Sequence, residues 1–262
     1  MRITIHILSI FLLLPVIGFS QDFVMVTANR ELYAIDVENC NSTFIVTVQS
    51  PGNASVGDLT YTPDGMLWGV GVDARLYSIN ETTGATNLFT TFPNSGELFT
   101  SLVSDASGLL YTADEDGDLY TYDPATNTTI YLGDVGPGAA GDLTFYNGQL
   151  MMATVNNTMI AIDPDNATNP EFVLSFNVAS SIFGIVTFAE DCENTVTYAT
   201  SGGGQVFEID FDNNTLTELC NFFTSSYGAA STLEFLAADP IQVEAVNVSG
   251  TSCADPDRKS VV

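Results

Sequence analysis

Histidine occurs once in this 262-residue chain, at His6, and lysine once, at Lys259. All told, five basic residues stand against 32 acidic ones, a formal net charge of −27. His6 lies in the apolar N-terminal stretch. Beyond it there is no imidazole for a Ser-His-Asp or Cys-His pair, for a general base, or for a metal ligand. A single lysine near the end leaves Schiff-base and phosphate-clamp chemistry without a residue. A surface this acidic repels nucleic acid and anionic membrane and attracts divalent cations or basic partners. It also suits solubility in a salty medium, where screening is short-ranged. Helical patterning of period 3.6 is absent after residue 20.

Residues 1–20 read as a secretory signal peptide. Arg2 supplies the positive start, residues 3–17 are nearly all apolar, and Gly18-Phe19-Ser20 places small residues at the cleavage-determining positions. A membrane anchor is the rival, but the apolar run is shorter than the roughly 20 residues a span needs. No later run is long and uncharged enough to span, so the expected mature chain starts at Gln21, secreted or at the cell surface. Four cysteines remain, Cys40, Cys192, Cys220 and Cys253. Export allows structural disulfides in three connectivities, with free buried thiols the alternative. Their spacing is too wide for a zinc knuckle.

What is present is repetition. Leu32-Tyr33-Ala34-Ile35-Asp36 returns as Leu76-Tyr77-Ser78-Ile79-Asn80, Leu119-Tyr120-Thr121-Tyr122-Asp123, Met159-Ile160-Ala161-Ile162-Asp163 and Val206-Phe207-Glu208-Ile209-Asp210. The period-two alternation marks strands. The closing Asp or Asn suits a turn, because its side chain can bond the backbone two residues on. A strand pattern precedes each copy, and another follows it after a polar turn. A fourth recurs as Gly57-Asp58-Leu59-Thr60-Tyr61, Thr100-Ser101-Leu102-Val103-Ser104, Gly141-Asp142-Leu143-Thr144-Phe145, Gly184-Ile185-Val186-Thr187-Phe188 and Ser231-Thr232-Leu233-Glu234-Phe235.

With these four strands lettered A to D, the chain starts at a B strand and ends on an unaccompanied A strand near Leu233. Four-stranded units of about 40 to 45 residues are the signature of a β-propeller. The expected fold is all-β: a five-bladed propeller over residues 21–237, its ring closed by a C-terminal strand that joins the first blade. Closure removes the open edges. A sixth blade cut short after Leu233 and a β-sandwich are the alternatives. Residues 238–262 read as a linker or tail. The last six, 257–262, hold two of the few basic residues and resemble a translated sequencing adapter, so the natural chain is expected to continue past about Pro256, making this unit a monomeric module of something longer.

The run Gly-Asp-Leu-Thr, then Asn/Asp-Gly before strand B, then Leu-Tyr-x-Ile-Asp with Thr-Gly or Thr-Asn, resembles secreted bacterial propeller repeats, broadly similar to the NHL and quinoprotein-like classes. The lysine-poor, acidic composition resembles exported proteins of Bacteroidota-type bacteria. The resemblance covers residues 21–237 and implies architecture, since such repeats serve binding modules, scaffolds and enzymes alike. It implies that A strands line a central channel and that ligands bind on the face shared by D–A and B–C loops.

Asp58 and Asp142 share one A-strand position, filled elsewhere by Ser101, Ile185 and Thr232. Two channel carboxylates could serve as acid and base in a calcium-dependent hydrolase of glycans or esters. The competing reading has them accept backbone N–H groups of the neighbouring blade. A five-bladed glycosidase would be expected to show three inward carboxylates, and only two appear at equivalent positions. Asp114, Asp116 and Asp118 alternate as calcium ligands would, yet Ala125 stands where an EF-hand needs a bidentate Glu, and Asp-Gly is a favoured hairpin turn. Arg30 and Arg75, in adjacent B–C hairpins, could grip a carboxylate or sulfate, or pair with nearby acids. Trp68 suits core filling more than sugar stacking. Tyr33, Tyr77, Tyr120 and Phe207 share one position and should pack between blades. Asn-x-Ser/Thr sequons at Asn41, Asn53, Asn80, Asn127, Asn156, Asn166, Asn213 and Asn247 matter only in a glycosylating host. The leading expectation is a non-catalytic binding or scaffold module for a protein or glycan ligand, with no cofactor beyond a calcium ion. A purely structural stalk element is a further alternative.

Overall fold

The computed structural model describes residues 23–93, 96–189, 195–222 and 224–237. Residues 1–20, Cys192, Cys253, Asn247 and 238–262 lie outside them. Five antiparallel four-stranded sheets make the whole of the fold. The second blade is β4 (Val56–Tyr61), β5 (Leu67–Gly71), β6 (Arg75–Ile79) and β7 (Thr86–Thr91). The third is β8 (Val103–Ser104), β9 (Leu110–Ala113), β10 (Asp118–Asp123) and β11 (Thr128–Asp134). The fourth is β12 (Ala139–Tyr146), β13 (Gln149–Thr154), β14 (Thr158–Ile162) and β15 (Glu171–Ser175). The fifth is β16 (Ile182–Ala189), β17 (Thr195–Ser201), β18 (Gln205–Asp210) and β19 (Thr215–Asn221).

The first blade joins the two ends of the described chain. β20 (Ser226–Ala230) pairs with β1 (Phe23–Thr27), which pairs with β2 (Glu31–Asp36) and then β3 (Asn41–Thr47). Ring closure therefore holds, but the closing strand lies upstream of the stretch expected to form it. Residues 231–233 form a turn, Glu234–Ala237 is a short 3-10 segment, and Leu233 is exposed. The physical reason is size. Ser226-Tyr227-Gly228-Ala229-Ala230 carries few strand formers, and its small residues let innermost strands crowd together.

Disulfide Cys40–Cys220 reinforces the seam, joining the C–D turn of the first blade to the outer strand of the fifth with Cα atoms 5.4 Å apart. Burial follows the period-two rule at every seam. Val24 and Val26 pack with Leu59, Tyr61 and Tyr77 of the second blade, while Phe23 and Met25 pack with Val186 and Phe188 of the fifth. Alternate residues of one strand thus serve opposite neighbours, which is why inner strands are apolar on both faces. Five apolar clusters fill the five seams.

Every blade carries a register shift between its C and D strands, just before Tyr33, Tyr77, Tyr120, Ile160 and Phe207. The terminal Asp or Asn of every repeat accepts a turn bond, two residues on as expected at Asn80, Asp123 and Asp163 and three residues on at Asp36 and Asp210. Asp36 takes Asn39 N–H, Asn80 takes Thr82 N–H, Asp123 takes Ala125 N–H, Asp163 takes Asp165 N–H and Asp210 takes Asn213 N–H, all at 2.8–3.0 Å. These turns share one face of the ring with the A–B turns. B–C hairpins and D–A connections occupy the other.

Candidate functional site

Two groups of polar side chains stand out, one on the axis and one on the B–C hairpin face. On the axis, Asp58, Asp142 and Glu234 are each 0–1 % exposed. Asp58 Oδ1 accepts Leu59 N–H at 2.7 Å, and Oδ2 accepts Leu102 N–H, in the third blade, at 2.6 Å. Asp142 Oδ2 accepts Ile185 N–H, in the fifth blade, at 2.6 Å. Each aspartate thus ties its own blade to a neighbour, the second of the two readings drawn above. Both side chains are fully buried.

Pairing through the B strands corrects the alignment. Leu59, Leu143, Ile185 and Ala229 all sit opposite the B residue that faces the C-strand bulge position. The aspartate position one residue earlier is therefore held by Gly184 and Gly228, not by Ile185 and Thr232. At Gly228 a Cβ would overlap Asp58 Oδ1 and lie 2.6 Å from Asp58 Cα. In the third blade Ser101 takes that place. Its hydroxyl accepts Ala113 N–H at 2.8 Å and donates to Ala113 O at 3.1 Å, standing in for ladder bonds where β8 is short.

Glu234 is the third inward carboxyl, and residue patterning missed it because its segment reads as a strand. The signal was an acid inside Leu233-Glu234-Phe235-Leu236. Its Oε1 accepts the Thr144 hydroxyl at 2.8 Å. Asp142 Oδ1 and Glu234 Oε2 are buried with no hydrogen-bond partner. Asp58 and Asp142 lie close enough for each to act on the other's titration. Burial, then the charge of Asp58, pushes Asp142 well above the ordinary carboxylate range. Burial, then Asp142, raises Glu234 likewise.

On the opposite face, both arginines converge on the 3-10 turn Pro51–Asn53. Arg30 Nη1 donates to Asn53 Oδ1 at 2.9 Å. Arg75 Nη1 donates to Pro51 O at 3.1 Å and pairs with Asp73 Oδ2 at 2.8 Å. Gly52 sits at φ +67°, a conformation that favours glycine, and a Cβ there would displace the Arg75 guanidinium 2.5 Å away. Between the arginines the Tyr77 hydroxyl and Asp73 Oδ1 are buried without partners. Burial, then Asp73, raises the Tyr77 phenol, while Arg30 opposes both. Among the described residues no carboxylate pairs with Arg30.

The acidic hairpin of the third blade is built as a turn. Asp114 Oδ1 accepts the N–H groups of Asp116, Gly117 and Asp118 at 2.9–3.1 Å, and Asp118 accepts the Tyr131 hydroxyl at 2.8 Å. Among the described residues no cluster of three His, Cys, Asp or Glu side chains is placed to hold a metal ion. Trp68 is 3 % exposed in the seam between the second and third blades, as expected of core filling.

Ring, repeats and seam together define a β-propeller repeat protein. Comparison with known proteins agrees at that level. Residues 20–120 match a repeat of unknown function (DUF6923), and residues 72–170 match the family model described as outer membrane protein assembly factor BamB. No curated protein matches. Among solved structures, a protein of unknown function from Bacteroides thetaiotaomicron superposes with a TM-score of 0.58 at 14% identity, covering 83% of this chain and 66% of that one. This chain therefore spans slightly under two thirds of that structure's length. Virginiamycin B lyase from Staphylococcus aureus gives a TM-score of 0.47 at 14% identity, covering 76% of this chain and 70% of that one. No helix among the described residues is long and apolar enough to cross a membrane.

Proposed function

We propose that this chain is an exported, non-catalytic binding module whose ligand face is the B–C hairpin rim between the first and second blades. The observation that carries this reading is the Arg30–Asn53 pair. In a chain of net charge −27, a guanidinium without a carboxylate is a charge held for something else. Beside it sits a buried phenol, Tyr77, that also lacks a partner. The disulfide supports export, because such bonds persist in oxidising compartments.

Charge narrows the ligand. The field of the whole molecule opposes polyanions, so the fitting group is a single carboxylate or sulfate on an otherwise neutral glycan or peptide. The test is a binding panel of neutral, mono-anionic and polyanionic glycans and peptides, run against wild type and the Arg30→Gln/Arg75→Gln protein. Retention of mono-anionic ligands by wild type and their loss in the variant is expected. Equal binding by both proteins, or preference for neutral ligands, rejects the reading.

A further inference from the structure

We propose that Asp58, Asp142 and Glu234 form a proton-binding site that locks residues 231–237 into the axis, and that loss of its protons releases that segment. Geometry carries the argument. After β20 the chain turns back across the axis on the face of the A–B turns, where Ala237 O accepts Gly148 N–H at 2.9 Å. Glu234 is thereby driven between the innermost strands of several blades, bonded to Thr144 and next to Asp142. Three fully buried carboxyls cannot all ionise without a counter-charge. None comes from the described residues packed around them. Of the strands packed on the segment, β4 contributes Asp58 and Tyr61, whose hydroxyl donates to Glu81, β12 contributes Asp142 and Tyr146, which packs on Phe211, and β8 and β16 contribute no titratable side chain. The sole titratable side chain of β20, Tyr227, makes a tilted ring contact with Phe183. Arg30 and Arg75 are committed to the other face.

The assignment of protons follows from the donors. Burial raises Asp58 as well, but both its oxygens accept main-chain N–H groups, which makes it the member of the pair best placed to hold the negative charge. Asp142 Oδ2 accepts a main-chain N–H, and Oδ1, which has no hydrogen-bond partner, is the oxygen that carries the proton in this proposal. Glu234 Oε2 is the second protonated oxygen. When base removes these protons, each goes to solvent and leaves an unpaired buried charge beside Asp58. The segment 231–237 is the element that can leave, since it pairs with no strand in the described chain, whereas β4 and β12 are each bound into a blade.

The test is hydrogen exchange of the intact protein, read on residues 226–237 from neutral to alkaline pH, since burial raises carboxyls. Corrected for intrinsic rate, protection there should fall by about tenfold per unit for each proton lost, while β5, β13 and β17 keep theirs. In Asp142→Asn/Glu234→Gln neither side chain has a proton to lose, while the amide carbonyls can still accept from Ile185 N–H and the Thr144 hydroxyl. That variant should stay protected at the upper pH. Infrared spectra of wild type give a second reading that needs no variant: a carboxylic-acid C=O band present at neutral pH and lost at alkaline pH. Protection that ignores pH, protection lost in every blade together, or absence of the acid band at neutral pH overturns the proposal.

Discussion

Asp58 Oδ2 accepts the main-chain N–H of Leu102 at 2.6 Å, across the boundary between the second and third blades. Both partners are fully buried. Asp142 and Ile185 repeat the arrangement from the fourth blade to the fifth. A side chain thus does between blades what ladder bonds do within them, and it fixes how the innermost strands sit around the axis.

Asp58→Ala leaves Leu59 and Leu102 with buried N–H groups that nothing accepts, at about 1–3 kcal/mol each. A loss of about 2–5 kcal/mol in urea unfolding is expected. Asp58→Asn keeps one acceptor and should cost about half as much. A loss within experimental error for both would show that these bonds contribute nothing net.

The Cys40–Cys220 bond spans 180 residues and ties the outer part of the first blade to the fifth. Closing so long a loop restricts the unfolded chain by on the order of 4–5 kcal/mol in the chain-entropy model. Cys40→Ser/Cys220→Ser should therefore melt below wild type, by roughly 2–4 °C per kcal/mol lost for a domain of this size. Reductant should lower the wild-type melting point toward the variant and leave the variant unchanged.

Gly228 lies where any side chain would collide with Asp58. Gly228→Ala must push β20 away from β4 and loosen the seam that closes the ring. We expect a cost of about 3 kcal/mol or more, at the upper end for overpacking. Gly65→Ala, at a position with φ +79° and open space around it, is the control for backbone strain alone.

Two sets of carboxyls act on stability in opposite directions as pH changes. Asp36, Asp123 and Asp210 are held below the ordinary carboxylate value, chiefly by hydrogen bonds from the Asn39, Thr126 and Asn213 side chains. Their contribution is present above about pH 4 and is lost as pH falls through the lower folded values. Asp142 and Glu234 are held above it by burial. Their contribution is full below about pH 4 and is lost as pH rises through the folded values. The Asp36→Asn/Asp123→Asn/Asp210→Asn protein should show a shallower acid limb in denaturant midpoint against pH. Asp142→Asn/Glu234→Gln should flatten the alkaline limb and leave the acid limb alone.

Blade number, strand order and the Asx turns were all legible in the chain, because each is set within one repeat. Alternation and a terminal Asp or Asn are local signals, and five copies reinforce one another. The closing strand was misplaced by several residues. Ser226–Ala230 lacks the apolar alternation that marks a strand, and only the crowded axis explains why small residues belong there. The same cause shifted the axis alignment by one residue in the fifth blade, where Gly184 replaces a side chain.

The arginines show the same division. Their hairpins could be counted from the repeat, but their shared turn at Pro51–Asn53 depends on how one blade follows another. By itself, the amino-acid sequence determined that five like units would form and that the first and last would share a blade. Only the tertiary structure decided that Cys40 meets Cys220, that Arg30 and Arg75 flank one turn, and that Glu234 joins Asp58 and Asp142. Those pairs are up to 180 residues apart. Hydrophobic period acts over a few residues, whereas the meeting of distant groups is set by the angle at which whole blades pack.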